Sequence, residues 1–293
     1  MKRALLALAA LAVLFAAYVF AGLPSRAEVR RLARSNPDLT SVMRQREQEA
    51  KRAGQKPRVQ RSWAPLSRMS RHLIHAVVAS EDQKFFGHEG VDWDAVEKAI
   101  DEDRKRFRFA RGGSTITQQL AKNLYFTTHR SLVRKLREVI VARWLEEELG
   151  KKRILELYLN VIEWGDGIYG AEAAAQRYYG KPAAALDEIE AAGLAAMIPN
   201  PRRIHPRLAP KTHARAQRRV LWLMRGAGYL KREVGGLGTE PPPVLVDDEE
   251  PEEEAASAGP ADPGPVNERV PEPPPSERPP DEIPPAEASP PVG

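Results

Sequence analysis

Three short stretches of this chain hold residue types whose spacing could do chemistry. The first is Glu81-Asp82-Gln83-Lys84-Phe85-Phe86-Gly87-His88-Glu89-Gly90. It sets a carboxylate at the end of an apolar helical run and beside aromatic rings. Loss of water there would raise the carboxyl pKa towards that of a working general base. Taken alone, a glutamate at a helix end is more often simply solvated. The second stretch is Gly112-Gly113-Ser114-Thr115-Ile116-Thr117-Gln118-Gln119-Leu120-Ala121-Lys122-Asn123. Its glycines allow close backbone approach to a ligand, and hydroxyls, amides and a lysine follow. That composition suits an anion- or sugar-binding turn opening a helix, or a plain N-capped helix with polar surface residues. The lysine is not where a phosphate-binding P-loop would need it. The third is Arg134-Lys135-Leu136-Arg137-Glu138, in which Arg134 and Glu138 share a helix face. An exposed pair of that kind contributes little on its own.

These groups need a helical frame. Leu73, Val77 and Val78 recur at helical spacing and lead into Glu81. Leu132, Leu136, Val139 and Ile140 mark one face of a long helix ending near Gly150, and Ile154, Leu155, Tyr158 and Leu159 mark another. Alanine-rich segments at Ala171–Gln176 and Glu188–Met197 read as packed helices. Strand signals are scarce, and Pro199-Asn200-Pro201 punctuates a join.

The charge is unevenly spread. The chain is +5 overall, yet residues 239–293 carry −13, which leaves +18 on residues 1–238. A basic body points to a polyanionic partner: nucleic acid, a phosphorylated substrate or anionic headgroups. The tail after Gly235 holds 17 of the 26 prolines and few large apolar residues, so it is expected to be disordered. No cysteine is present, which excludes disulfides, thiolate metal sites and a cysteine nucleophile. Lys2 and Arg3 precede Ala4–Leu23, twenty residues without a charge. At about 1.5 Å per residue such a helix crosses a hydrocarbon core of about 30 Å. The flanking charges favour an inside N-terminus and an exported body. A cleaved signal peptide, with Val19-Phe20-Ala21 as its site, is the alternative. Residues 26–61 are polar and basic and read as a juxtamembrane stalk or a solvated linker. Arg104–Arg111 alternates cation and aromatic, a composition that suits a membrane interface. His72 and His75 have no obvious partners in the sequence and read as surface residues.

In order along the chain, Glu-Asp-x-x-Phe-x-x-His-x-Gly at Glu81–Gly90, the Gly-x-Ser-Thr-Ile-Thr-Gln-Gln run, and Arg-Lys-x-x-Glu at Arg134–Glu138 resemble the peptidoglycan glycosyltransferase family. The likeness continues through Lys151–Asn160 and Tyr178-Tyr179-Gly180-Lys181, so five motifs fall in order over residues 81–181. Glu163–Gly170 looks like the monofunctional branch. No serine is followed by lysine three positions on, as a penicillin-binding transpeptidase would require, so no transpeptidase activity is expected.

The resemblance implies a mainly α, lysozyme-like two-lobed glycosyltransferase domain with an N-terminal transmembrane helix and a disordered C-terminal tail. The expected division is a signal-anchor helix over 1–23, a stalk over 24–62, the catalytic domain over 63–235 and the tail over 236–293. It implies polymerisation of lipid II into β-1,4-linked glycan with inversion and release of a lipid pyrophosphate. Glu81 matches the family's base and Glu138 its second glutamate. Lys122 and Arg134 match residues contacting the pyrophosphate. Asp82, Phe85, His88, Ser114, Thr115, Gln119, Asn123 and Lys135 complete the expected substrate-binding or cleft-shaping set. Glu156, on an apolar-faced helix, is expected to be structural. No cofactor is required, although a divalent cation (Mg2+ or Mn2+) at the pyrophosphate is compatible with the pattern. The implied partners are lipid II, the growing lipid-linked glycan, the membrane and other wall-building proteins, with no nucleic acid. The implied location is the cytoplasmic membrane, single-pass, with the body on the outer side. The rivals are a glycan-cleaving enzyme of the same fold, which has no use for Lys122 and Arg134, a nucleic-acid binder, and a non-catalytic scaffold.

Overall fold

The computed structural model describes residues 1–97, 113–129 and 131–230. The basic-aromatic segment 104–111 and the proline-rich tail lie outside the described residues.

Helix α1, Lys2–Ala21, is an apolar cylinder whose side chains are exposed except for Val19. It is the one described helix long and apolar enough to cross a membrane. Its last turn docks on the body. Arg137 donates to the carbonyls of Val19 (2.9 Å) and Tyr18 (2.5 Å), and its guanidinium lies 5.0 Å from the Tyr18 ring centre. The arginine thus partners carbonyls of the last helical turn, where Val19 O also accepts from Gly22 N at 3.3 Å.

The segment expected as a stalk carries capped helices. In α2, Arg26–Arg31, Ser25 and Glu28 form a reciprocal capping box; Thr40 caps α3, Ser41–Arg52. Val29, Val42 and Met43 are buried, so these helices pack on the body. Arg30 bonds Glu148 at 2.7 Å, and Arg26 pairs with Glu147 and stacks on Trp144.

Helix α4, Arg71–Glu81, buries Leu73, Ala76, Val77, Val78 and Ala79. Ser70 caps it and donates to Leu186 O at 2.7 Å. Helix α5, Ile116–Tyr125, opens on a capping box between Thr115 and Gln118. Next come α6, Leu132–Glu148, and α7, Lys151–Val161. The core face of α6 differs from the expected one. Leu132 is 85% exposed and Leu136 42%, whereas Val141, Ala142, Leu145 and Glu138 are buried. Of the apolar stripe read from the sequence, Leu132 and Leu136 therefore face away from the core, while Val139 and Ile140 are half-buried.

A small sheet closes one side. Strand β1, Gln60–Arg61, runs parallel to β3, Ile168–Tyr169, which pairs antiparallel with β2, Glu163–Gly165. The β2–β3 turn needs Gly167: its φ is +70°, and a Cβ there would meet Arg58 O at 2.3 Å. The remaining helices are α8, Ala171–Tyr179, α9, Glu188–Ala195, and α10, Pro210–Gly226. Alanines and Gly193 on α9 let helices approach closely; α4 packs against α9 and α10, while α5 packs against α3, α6 and α7. Two histidines expected at the surface have partners: His72 lies 3.7 Å from Glu188, and the His75 ring stacks on Tyr229 at 4.1 Å.

Glu156 accepts from Leu66 N at 2.9 Å, and Asn160 both donates to and accepts from the Ala64 backbone. These bonds hold α7 to the chain entering α4.

Candidate active site

Glu81 is the last residue of α4, where the helix stops and Asp82 turns away as its C-cap. Its carboxylate borders a cleft of about 300 Å³ that is also lined by Asp82, Lys84, Ser114, Thr115 and Arg219. Gln119 Nε2 donates to Glu81 Oε2 at 2.8 Å. The amide's oxygen accepts from the buried Tyr158 hydroxyl at 2.8 Å. Burial pushes the Glu81 carboxyl up, opposed by the Gln119 hydrogen bond and the Lys122 charge.

Asp82 holds the loop that follows. Its carboxylate accepts from His88 Nε2 at 3.0 Å and from Ile116 N at 2.9 Å. His88 Nδ1 accepts from Gly90 N at 3.1 Å, so the imidazole proton sits on Nε2 and points at Asp82. Thr115 Oγ1 donates to Gly90 O at 2.6 Å. The Asp82–His88–Gly90–Thr115 chain therefore ties the loop after the glutamate to the start of α5. Phe85 is fully buried under it, with the Lys151 ammonium 4.6 Å from its ring centre. Asn123 is buried and donates to Gln119 O. Of the expected contact residues, Asp82, Phe85, His88, Thr115 and Asn123 thus spend their bonds and surface on shaping the site. Their expected substrate contacts would have to come from the edges left open.

The cations converge from two helices. Lys122 on α5 lies within electrostatic reach of both Glu81 and Glu138. Arg134 and Lys135 on α6 flank the buried Glu138 at 3.4 and 3.5 Å. Lys135 also donates to Ser114 Oγ (2.7 Å) and Gln118 Oε1 (3.0 Å), joining α6 to the glycine turn. Arg134 Nη1 bonds Thr127 O, but its Nε and Glu138 Oε1 are buried without a hydrogen bond. Burial pushes the Lys122 and Lys135 ammonium groups down, and Glu138 opposes that by attracting both charges. Cations gathered partly out of water favour an anionic ligand.

The transglycosylase family profile matches residues 47–225. The chain belongs to the transglycosylase family. It is a glycosyltransferase, and its relatives say which kind they are. A biosynthetic peptidoglycan transglycosylase of Azoarcus sp. (strain BH72) is 45% identical over 223 residues, covering 75% of this chain and 94% of the relative. Proteins of the same name from Herminiimonas arsenicoxydans and Janthinobacterium sp. (strain Marseille) are 51% and 52% identical over 167 residues, in each case 57% of this chain and 72% of the relative.

Three side chains in and around the candidate transglycosylase site escaped the sequence reading. Tyr158 was assigned to an apolar helix face, yet a buried tyrosine needs a partner for its hydroxyl, and that need was the available signal. Arg219 lines the cleft from α10 and is one arginine among several there, so nothing local singled it out. Arg137 sits inside the Arg-Lys-x-x-Glu motif but turns towards α1, a direction only the tertiary structure reveals.

Proposed function

We propose that the chain polymerises lipid II from the outer face of the membrane, with Glu81 as the base. The observation that carries this reading is a half-buried carboxylate on a cleft, held by a neutral amide, with a bank of cations beside it. Glu81 Oε accepts the proton of the acceptor's 4-hydroxyl as that oxygen attacks the donor's anomeric carbon. The bond from that carbon to the lipid pyrophosphate breaks, and the pyrophosphate leaves with the electron pair. Attack opposite the leaving group turns the α-linked donor into a β-1,4 linkage. Lys122, Arg134 and Lys135 stabilise the charge that develops on the leaving group, Arg134 through its planar fork. Glu138 keeps those cations in place and close together.

The donor set does not favour a divalent ion held by the protein. Glu138 is already paired with Arg134 and Lys135, and among the described residues no three carboxylates or histidines converge. No step of the mechanism is routed through a metal.

The membrane reading rests on α1, whose leucines and aromatics would otherwise stand in water, and on Lys2 and Arg3 at its inner end. The exposed Leu132 and Leu136 lie on α6, the helix that Arg137 ties to the outer end of α1. This would place Arg134 and Lys135 near headgroup level, where a lipid pyrophosphate would lie. Other wall-building proteins belong to this proposal as partners only through the function itself.

The test is polymerisation of lipid II by the full chain and by Glu81→Gln. The unaltered protein should make glycan and the variant should not; an active Gln variant overturns the assignment of the base.

A further inference from the structure

We propose that Tyr158 is a positioning residue for the glycosyl transfer, acting through Gln119 to hold the base Glu81 in its proton-accepting state. This deepens the proposed function and rests on it. The geometry is a three-group chain across three helices: Tyr158 O–H to Gln119 Oε1 at 2.8 Å, then Gln119 Nε2–H to Glu81 Oε2 at 2.8 Å.

The direction of the chain follows from the chemistry of its ends. An ionised carboxylate can only accept, so it must face the amide's NH2. The amide oxygen then faces Tyr158, which must donate. Burial, together with the Glu81 and Asp82 charges, holds the Tyr158 phenol well above its usual range, so its proton is always there to give. The phenol is fully buried and faces the site through that one bond. A protonated Glu81 keeps a carbonyl oxygen for the amide, but that neutral oxygen accepts the Gln119 N–H more weakly than a carboxylate does. By donating to the amide oxygen, Tyr158 fixes the amide's NH2 on Glu81 and polarises it, which strengthens the bond that the carboxylate accepts best. The tyrosine thus biases Glu81 towards the form that can take a proton.

Other charges act on Glu81 as well. Asp82 lies beside it, Lys122 approaches from α5, and Lys84, Asp92 and Arg219 line the same cleft. Of all these groups, Gln119 is the one that touches the carboxylate, and Tyr158 is what sets the amide's direction.

The experiment is the pH profile of kcat/KM for lipid II polymerisation by the full chain. Glu81 must be ionised, so the rate falls as pH drops through its pKa, and losing a bond to the ionised form moves that limb to higher pH. Tyr158→Phe removes one oxygen and leaves the ring in place. It should raise the acidic limb by about one pH unit and slow turnover by about tenfold below it. In a Gln119→Ala background the same substitution should do nothing further, since its route to Glu81 is gone. An acidic limb that does not move, or losses that multiply in the double variant, would overturn the proposal and leave Tyr158 a packing residue. Should Tyr158→Phe not fold, 3-fluorotyrosine at 158 supplies a stronger donor of nearly the same shape. It should move the limb to lower pH, and an unmoved limb would count against the proposal. Unaltered protein that makes no glycan at any pH would instead sink the proposed function itself.

Discussion

Two glutamates belong to the candidate site, one on the cleft and one buried behind it among the cations, and the protein treats them oppositely. Glu81 stands at the end of α4 and its direct partner is a neutral amide; Lys122 acts on it through its charge alone. Glu138 lies mid-helix on α6, is buried, and has Arg134 and Lys135 within ion-pair range. A carboxylate with no ion-pair partner, raised by burial, can take a proton and lose it again. A carboxylate flanked by two cations is placed to hold those cations together. On the proposed reading, environment rather than residue type assigns the roles.

The sharpest way to break this comparison is to remove each charge in turn. Glu81→Gln should lower lipid II turnover by at least about 10²-fold with the fold intact, the usual cost of removing a general base. Next in size are Lys122→Ala and Arg134→Ala, each expected to cost about tenfold to a hundredfold as judged by single-turnover rates. Arg134→Lys should recover only part of that loss, since a lysine cannot match the planar fork; full recovery would reduce the fork to a point charge. The pH dependence separates the two carboxylates. In Glu138→Gln the rate should drop, but the acidic limb should remain, because the group that titrates it is Glu81. A limb that disappears in Glu138→Gln and survives in Glu81→Gln would exchange the two roles.

Much of this was legible in the sequence, and the parts that were not share a physical cause. Leu73, Val77 and Val78 marked α4 and brought Glu81 to its end, as the structure has it. Long-range partners were not readable: Tyr158 reaches Gln119 across 39 positions, and Arg137 reaches Val19 across 118. The face of α6 was misread for a related reason. Periodicity reveals that an apolar stripe exists but not what covers it. The stripe at Leu132 and Leu136 is exposed, while Glu138, a residue type seldom buried, lies on the core side where its cations can reach it. Residues 26–61 looked like a linker because their charges dominate. Ser25-Arg26-Ala27-Glu28 is nonetheless a capping box, a local signal of helix that composition masked. The segments at 104–111 and after Gly235 lie outside the described residues.

The smallest expected effect tests whether the anchor merely tethers the enzyme or also orients it. Arg137 on α6 bonds the carbonyls of Tyr18 and Val19, one position from Glu138 on the same helix. Gly22 makes room for that contact: a Cβ there would come within 2.2–2.5 Å of the guanidinium atoms. The Gly22 backbone itself is unstrained for other residues, with φ at −99°. Gly22→Val therefore displaces Arg137 without touching the catalytic domain, and Arg137→Ala removes it without touching the anchor. If the contact orients α6 against the bilayer, each variant should slow polymerisation in liposomes by about threefold, the scale of one or two partly exposed hydrogen bonds. The double variant should be no slower than Arg137→Ala, because both changes delete one interaction. Losses that multiply would mean Arg137 serves the site by some other route. Loss with Arg137→Ala and none with Gly22→Val would leave α1 a tether and make Arg137 part of the cation bank.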